Sequence, residues 1–208
     1  MTFAHLLPPG YKVEISRWVH EDCPTTDIGG FVVGENEEVA DLLCKTSGVL
    51  AGVPFAQAVF DLLELRVVWL YEEGDFIDIT TASNKKVIVA KVTGKCRNIL
   101  LAERTALNIL SRAAGVATQA RTASDIAKQA GWKGYVAGTR KTTPGFKMVE
   151  KYALLVGGAS THRMDLSQMV MLKDNHIWSS GSITKAVHKA RTAAGFSMKI
   201  EVIQDNSL

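Results

Sequence analysis

Apolar positions recur first at helical spacing, then at strand spacing, and finally in a regular alternation of the two. Pro8, Pro9 and Gly10 precede residues 11–20, where Val13, Trp18 and Val19 are expected to share a buried helical stripe. Cys23-Pro24 stops that helix, because proline has no amide to donate inside one. Apolar runs at 39–45, 66–70 and 87–92 predict strands, with a helix over 55–63 between the first two and a turn at Glu72-Glu73-Gly74-Asp75. An α/β sandwich accounts for this part of the chain.

From Asn98 to Ala130 the pattern becomes Ala-rich, with Ile99, Ala102, Ala106, Ile109 and Ala113 three or four residues apart. Gly115 reads as a break, so two helices are expected to join the halves. Beyond Gly131, short strands near 135–137, 169–172 and 198–202 follow one another at about 30 residues, the length of a β/α crossover unit. Helices fill the gaps: 146–156, started by Pro144-Gly145, and 183–194, stopped by Gly195. Repeated βαβ units imply a parallel sheet or barrel. The fold class is therefore α/β: an N-terminal sandwich with a linking helix over 1–115, then an incomplete parallel β/α barrel over 116–208.

Composition narrows the function classes. With 47% hydrophobic and 22% charged residues the chain can pack an ordinary core. The net charge is +3, the 24 Lys and Arg are scattered outside one run, and there is no polybasic block or nucleic-acid motif, which favours a small anionic substrate. Cys23, Cys44 and Cys96 are far apart and in neither a metal-ligand nor a redox spacing, so reduced thiols are expected. No stretch approaches the roughly 18 apolar residues of a membrane span, and residues 1–12 do not resemble a signal peptide. A cytoplasmic location is expected.

The exceptional run of cations lies in GTRKTTPGF from Gly138, THRMD from Thr161 and MVMLKDNH from Met169. In β/α barrels, reacting groups sit where loops leave the carboxyl ends of strands. Arg140-Lys141 follow the first expected strand, Lys173 follows the second, Glu201 lies near the end of the third, and His162-Arg163 occupy the loop before the second. Taken singly, each could be a solvated surface group; together they suit a multiply charged anion. Thr139, Thr142, Thr143 and the Gly145 backbone add neutral donors. Asp174 and Asn175 are expected to cap the next helix, and His162 and His176 lack zinc-ligand spacing, so no metal residue is assigned. Arg104 is either a solvated helix arginine or one aimed across a subunit interface.

Through EDCP, SGVLAGVPF, ERTALNILSRAAG, AGTRKTTPGFKMVEKYALLVGGASTHRMDL and MLKDNH, the chain resembles the quinolinate phosphoribosyltransferase family and looks nearest to its animal forms. The resemblance covers about residues 6 to 202. It implies a pentosyltransferase that joins quinolinate to phosphoribosyl pyrophosphate with Mg2+, giving nicotinate mononucleotide, diphosphate and carbon dioxide for NAD synthesis. Carried over by position, it makes Arg140, Lys141, His162, Arg163 and Lys173 the quinolinate-binding cations and Arg104 an arginine supplied by the partner of a homodimer or higher homo-oligomer. Lys141, Lys173 and Glu201 become the catalytic residues.

The family's third barrel strand reads Glu-Val-Glu, whereas this chain reads Glu201-Val202-Ile203 and then QDNSL, without the second carboxylate. The expectation is a truncated or alternatively spliced product, or an incorrect gene model, that diverges after Val202 and keeps mainly the quinolinate-gripping half of the pocket. Two alternatives accompany the enzyme reading. One is a catalytically dead isoform acting as a non-catalytic oligomer subunit. The other is a phosphoribosyltransferase for a related pyridine carboxylate, against which the paired cations favour a dicarboxylate.

Overall fold

A computed structural model describes residues 3–82 and 84–203. The chain opens with a short 3-10 turn, Ala4–Leu6, and then α1 (Tyr11–Asp22). Ile15 is the buried residue of α1, with Trp18 and Val19 packed beside it, whereas Val13 is 55% exposed. The expected stripe thus shifts: Ile15, Trp18 and Val19 are spaced i, i+3, i+4 and share a face that Val13 leaves. Helix α2 (Ile28–Val33) is capped by Asp27, whose Oδ1 accepts the Gly30 amide at 2.7 Å.

Strand β1 (Glu37–Cys44), the two-residue β2 (Gly48–Val49), helix α3 (Val53–Leu62), β3 (Arg66–Trp69), the two-residue β4 (Phe76–Ile77) and β5 (Val87–Lys95) come next. An antiparallel sheet of order β1-β5-β3 results, with β2 and β4 paired separately. Strand β5 runs directly into α4 (Cys96–Gln129), one unbroken helix of 34 residues. Gly115 therefore does not end a helix. Its cost of about 1 kcal/mol relative to alanine is offset by packing, because α4 lies against α2, α3, β5 and α5 (Lys147–Val156). A buried row from Ala102 and Ala106 through Ile109 and Ala113 to Ala117 and Ala120 runs along it on both sides of Gly115.

Small residues set two of these approaches. Gly52 has φ +96, and a Cβ there would lie 2.8 Å from the Ala113 Cβ. A Cβ on Gly157 would run into the Ala117 carbonyl, so α4 and the end of α5 meet backbone to side-chain-free backbone. Aromatic contacts complete the core: Tyr11 and Tyr152 each meet Phe55 edge-on, at 5.8 Å and 5.3 Å, and Trp18 lies 5.1 Å from Phe146.

The rest comprises β6 (Val170–Leu172), α6 (Asp174–Ser180), α7 (Ile183–Ala194) and β7 (Ile200–Val202). Strands β6 and β7 pair in parallel, Val170 beside Ile200 and Leu172 beside Val202, with α6 and α7 in the connection between them. The strand expected near 135–137 is represented by a single parallel bridge from Ala137 to Ser160. Helix α6 begins at Asp174 with Lys173 in the capping position, so Asp174 and Asn175 belong to the first turn rather than to the cap. The segment QDNSL lies outside the described residues.

Two compact units emerge: Met1–Gly138 with Thr142–Thr161, and Thr139–Lys141 with His162–Leu208. Position 115, where the sequence places the division, is inside α4.

Candidate active site

Six of the expected site residues, Arg140, Lys141, His162, Arg163, Lys173 and Glu201, belong to the second unit. Glu201 is the central residue of β7, beside Met171 of β6. Its Oε2 lies 2.6 Å from His162 Nε2, joining residues 39 positions apart. His162 itself has φ 54, a left-handed conformation that few non-glycine residues adopt and that clusters at functional sites. Arg163 is 8% exposed. Its guanidinium donates to the Met169 carbonyl at 3.2 Å and approaches Met171 Sδ at 3.6 Å, which fixes the turn leading into β6.

Lys173 follows β6 directly and is exposed. Its amide donates to His176 Nδ1 at 3.1 Å, which orders the first turn of α6. Arg140 and Lys141 are exposed as well, and the Lys141 amide donates to Thr139 Oγ1 at 3.1 Å. Among the described residues no group of three or more His, Cys, Asp or Glu gathers to hold a metal. The unit thus combines accessible cations with one carboxylate already engaged by an imidazole, an arrangement suited to binding a polyanion.

The first unit holds Arg104, exposed on α4 with Glu103 at 3.7 Å. It also holds two buried charges, Glu150 and Lys151, to which the sequence assigns no role. Glu150 Oε2 accepts the Thr143 amide at 3.0 Å, and its Oε1 accepts the Thr143 hydroxyl and Arg112 Nε, each at 2.8 Å. Burial alone would raise the Glu150 pKa; the Thr143 hydroxyl and amide and then Arg112 outweigh it, leaving the carboxyl below its ordinary value. Lys151 donates to the Thr161 carbonyl, and burial, followed by the nearby Lys147 ammonium, pushes its pKa down. Glu73 accepts the amides of Gly52 and Val53 at 2.9 Å each, at the start of α3. Burial raises its pKa against the pull of those amides and of Tyr152. The signal for Glu150 and Lys151 was a charged dipeptide between Val149 and Tyr152 in a largely apolar helix, ordinarily a mark of a solvated face. An open cavity of about 510 Å³ also lies in this unit, between α4 at Gly115 and Gln119, Val136, and Leu154 of α5.

Two family models match the chain: the quinolinate phosphoribosyl transferase N-terminal domain over residues 25–114 and the C-terminal domain over residues 116–207. The nicotinate-nucleotide pyrophosphorylase (carboxylating) of Dictyostelium discoideum is 49% identical over 97% of this chain and 71% of its own length. The rat and human proteins of the same name are 50% and 48% identical over 95% and 96% of this chain. The matched parts make up 64% of the rat protein and 65% of the human one, so the chain spans less than two thirds of these relatives. Among solved structures, nicotinate-nucleotide pyrophosphorylase from Francisella tularensis matches with a TM-score of 0.84 at 29% identity, covering 96% of this chain and 70% of that one. NadC from Streptococcus pyogenes matches with a TM-score of 0.84 at 32% identity and the same coverage.

Proposed function

Because this chain belongs to the quinolinate phosphoribosyltransferase family, we propose that it binds quinolinate and phosphoribosyl pyrophosphate and forms nicotinate mononucleotide for NAD synthesis. The observation that carries this reading is the grouping of five cations with Glu201 in one compact unit, His162 Nε2 lying 2.6 Å from Glu201 Oε2. Arg140, Lys141, His162, Arg163 and Lys173 hold the two carboxylates of quinolinate and offset their repulsion of the phosphorylated sugar. The pyridine nitrogen attacks C1 of the ribosyl group, diphosphate leaves, and Glu201 stabilises the oxocarbenium-like charge in between. The ring carboxylate next to the nitrogen then leaves as carbon dioxide, and its electron pair takes a proton from solvent. Lys141 and Lys173 favour this step by placing positive charge near the carbanion-like centre. Magnesium enters with the sugar diphosphate as part of the substrate.

The partner's Arg104 completes the site in our reading, within a homodimer or higher homo-oligomer. Support comes from its exposure on α4, where Glu103 is 3.7 Å away. Among the described residues no helix is long and apolar enough to cross a membrane. The three cysteines are free, and we place the protein in the cytoplasm.

The test is calorimetric titration with quinolinate, followed by assay for nicotinate mononucleotide with phosphoribosyl pyrophosphate and Mg2+. Arg140→Ala should weaken quinolinate binding about 10- to 100-fold, the value of a charge-assisted hydrogen bond. Nicotinate, with one carboxylate, should bind more weakly than quinolinate. Equal affinity for the two acids, or none for either, would overturn the assignment.

A further inference from the structure

Two consecutive side chains of α5 are charged, buried and without a part in the proposed chemistry: Glu150 is 5% exposed and Lys151 is 1% exposed. Charges so placed are unfavourable unless bonded, and apolar residues like their neighbours Val149 and Tyr152 would fill the same positions without that cost. What the charges do instead is hold backbone. Glu150 accepts the Thr143 amide at 3.0 Å and the Thr143 hydroxyl at 2.8 Å, and Thr143 is the second residue after Lys141. Lys151 donates to the carbonyl of Thr161, the residue immediately before His162.

Both anchored residues stand where the chain passes between units: Lys141 to Thr142, and Thr161 to His162. At the second passage the backbone turns at once into the left-handed region, His162 having φ 54, a conformation that persists only where its surroundings over-determine it. Arg112, reaching Glu150 at 2.8 Å and Thr143 Oγ1 at 3.1 Å, ties the first anchor to α4. The Ser160 amide donates to the Val136 carbonyl and the Gly138 amide to the Ser160 carbonyl, each at 2.8 Å, so the second anchor adjoins a segment already bonded on both sides.

We propose that Glu150 and Lys151 are positioning residues, which fix through Thr143 and Thr161 the backbone leaving Arg140-Lys141 and the backbone entering His162-Arg163. This rests on the reading of those four cations as the quinolinate grip. The two charges act through the main chain and touch no substrate.

Hydrogen exchange and quinolinate titration on the full 208-residue chain test the idea separately from the substrate assignment. Lys151→Met should speed exchange of the Gly138 and Ser160 amides about tenfold or more, and Glu150→Gln should do the same at Thr143, with α4 amides unchanged. The folded variants should bind quinolinate about tenfold more weakly, and Lys151→Arg, which keeps a donor, should recover much of that loss. Where Lys151→Met does not fold, the nearly isosteric Glu150→Gln decides. Faster exchange spread evenly through α4, or a lowered melting temperature with unchanged quinolinate affinity, would overturn the proposal. If the parent chain binds no quinolinate, the substrate reading falls, while the local exchange rates still decide whether the anchors exist.

Discussion

His162 combines a left-handed backbone with an imidazole 2.6 Å from the Glu201 carboxylate. That carboxylate occupies a nitrogen which quinolinate would use, and it also repels a dianion. Glu201→Gln should therefore bind quinolinate several-fold more tightly while turning over at least 100-fold more slowly. Titration and product assay of one preparation measure both, and weaker binding would contradict the role assigned to Glu201. Glu150 supports a second residue-scale prediction. Its pKa lies below the ordinary 4.5, so the stability it supplies is complete above that value and is lost as pH falls through the lower folded value. Melting curves from pH 6 to pH 3 should show parent and Glu150→Gln converging in acid. The grouping of the cations in one unit was foreshadowed by their closeness in sequence, from Arg140 to Lys173. Glu150 and Lys151 were not, because a charged pair in a helix is ordinarily solvated, and only the tertiary bonds to Thr143 and Thr161 show otherwise.

Elements differ in how much of themselves they carry in sequence. The sequence predicts α7 over 183–194 and it is found there, because Ser182 Oγ accepts the Lys185 amide at 3.2 Å and Gly195 stops it. Strands β2 and β4 leave no mark in the sequence: two residues have no periodicity, and they exist only through the pairing of Gly48 with Ile77 and Val49 with Phe76. The continuity of α4 was lost for the opposite reason, since a glycine weakens a helix locally but packing along 34 residues carries it through. Gly115 has nothing within 4 Å of an added Cβ. Gly115→Ala should accordingly stabilise the protein by about 0.5–1 kcal/mol. Gly157→Ala should destabilise it by about 1–3 kcal/mol, because the new methyl meets the Ala117 carbonyl. Denaturant midpoints of the two variants, moving in opposite directions, check both; a loss at Gly115 would mean that α4 needs its glycine.

At the scale of the whole molecule, burial is uneven. The first unit contains a continuous cluster including Phe55, Val59, Ile109, Val149 and Tyr152, whereas the buried apolar residues among those described in the second are Leu172, Ala186 and Ala194. Native-state hydrogen exchange should find α7 and β7 opening at lower free energy than α4, with added quinolinate raising protection chiefly in the second unit. Uniform protection would refute this. The spacing of about 30 residues from β6 to β7 was visible in sequence because two strand-length apolar runs flank a helix-length segment; the three passages of the chain between units were not, since they depend on which loops find partners. The continuity of α4 bears on recombination. The family models meet at residues 114 and 116, inside α4, so a chimera of two relatives spliced there would knit one helix from two parents. It would also divide Trp18 from Phe146 and Phe55 from Tyr152 by parentage. These aromatic pairs should be inherited together, and gene shuffling that respects them should yield more folded progeny than shuffling at the helix midpoint.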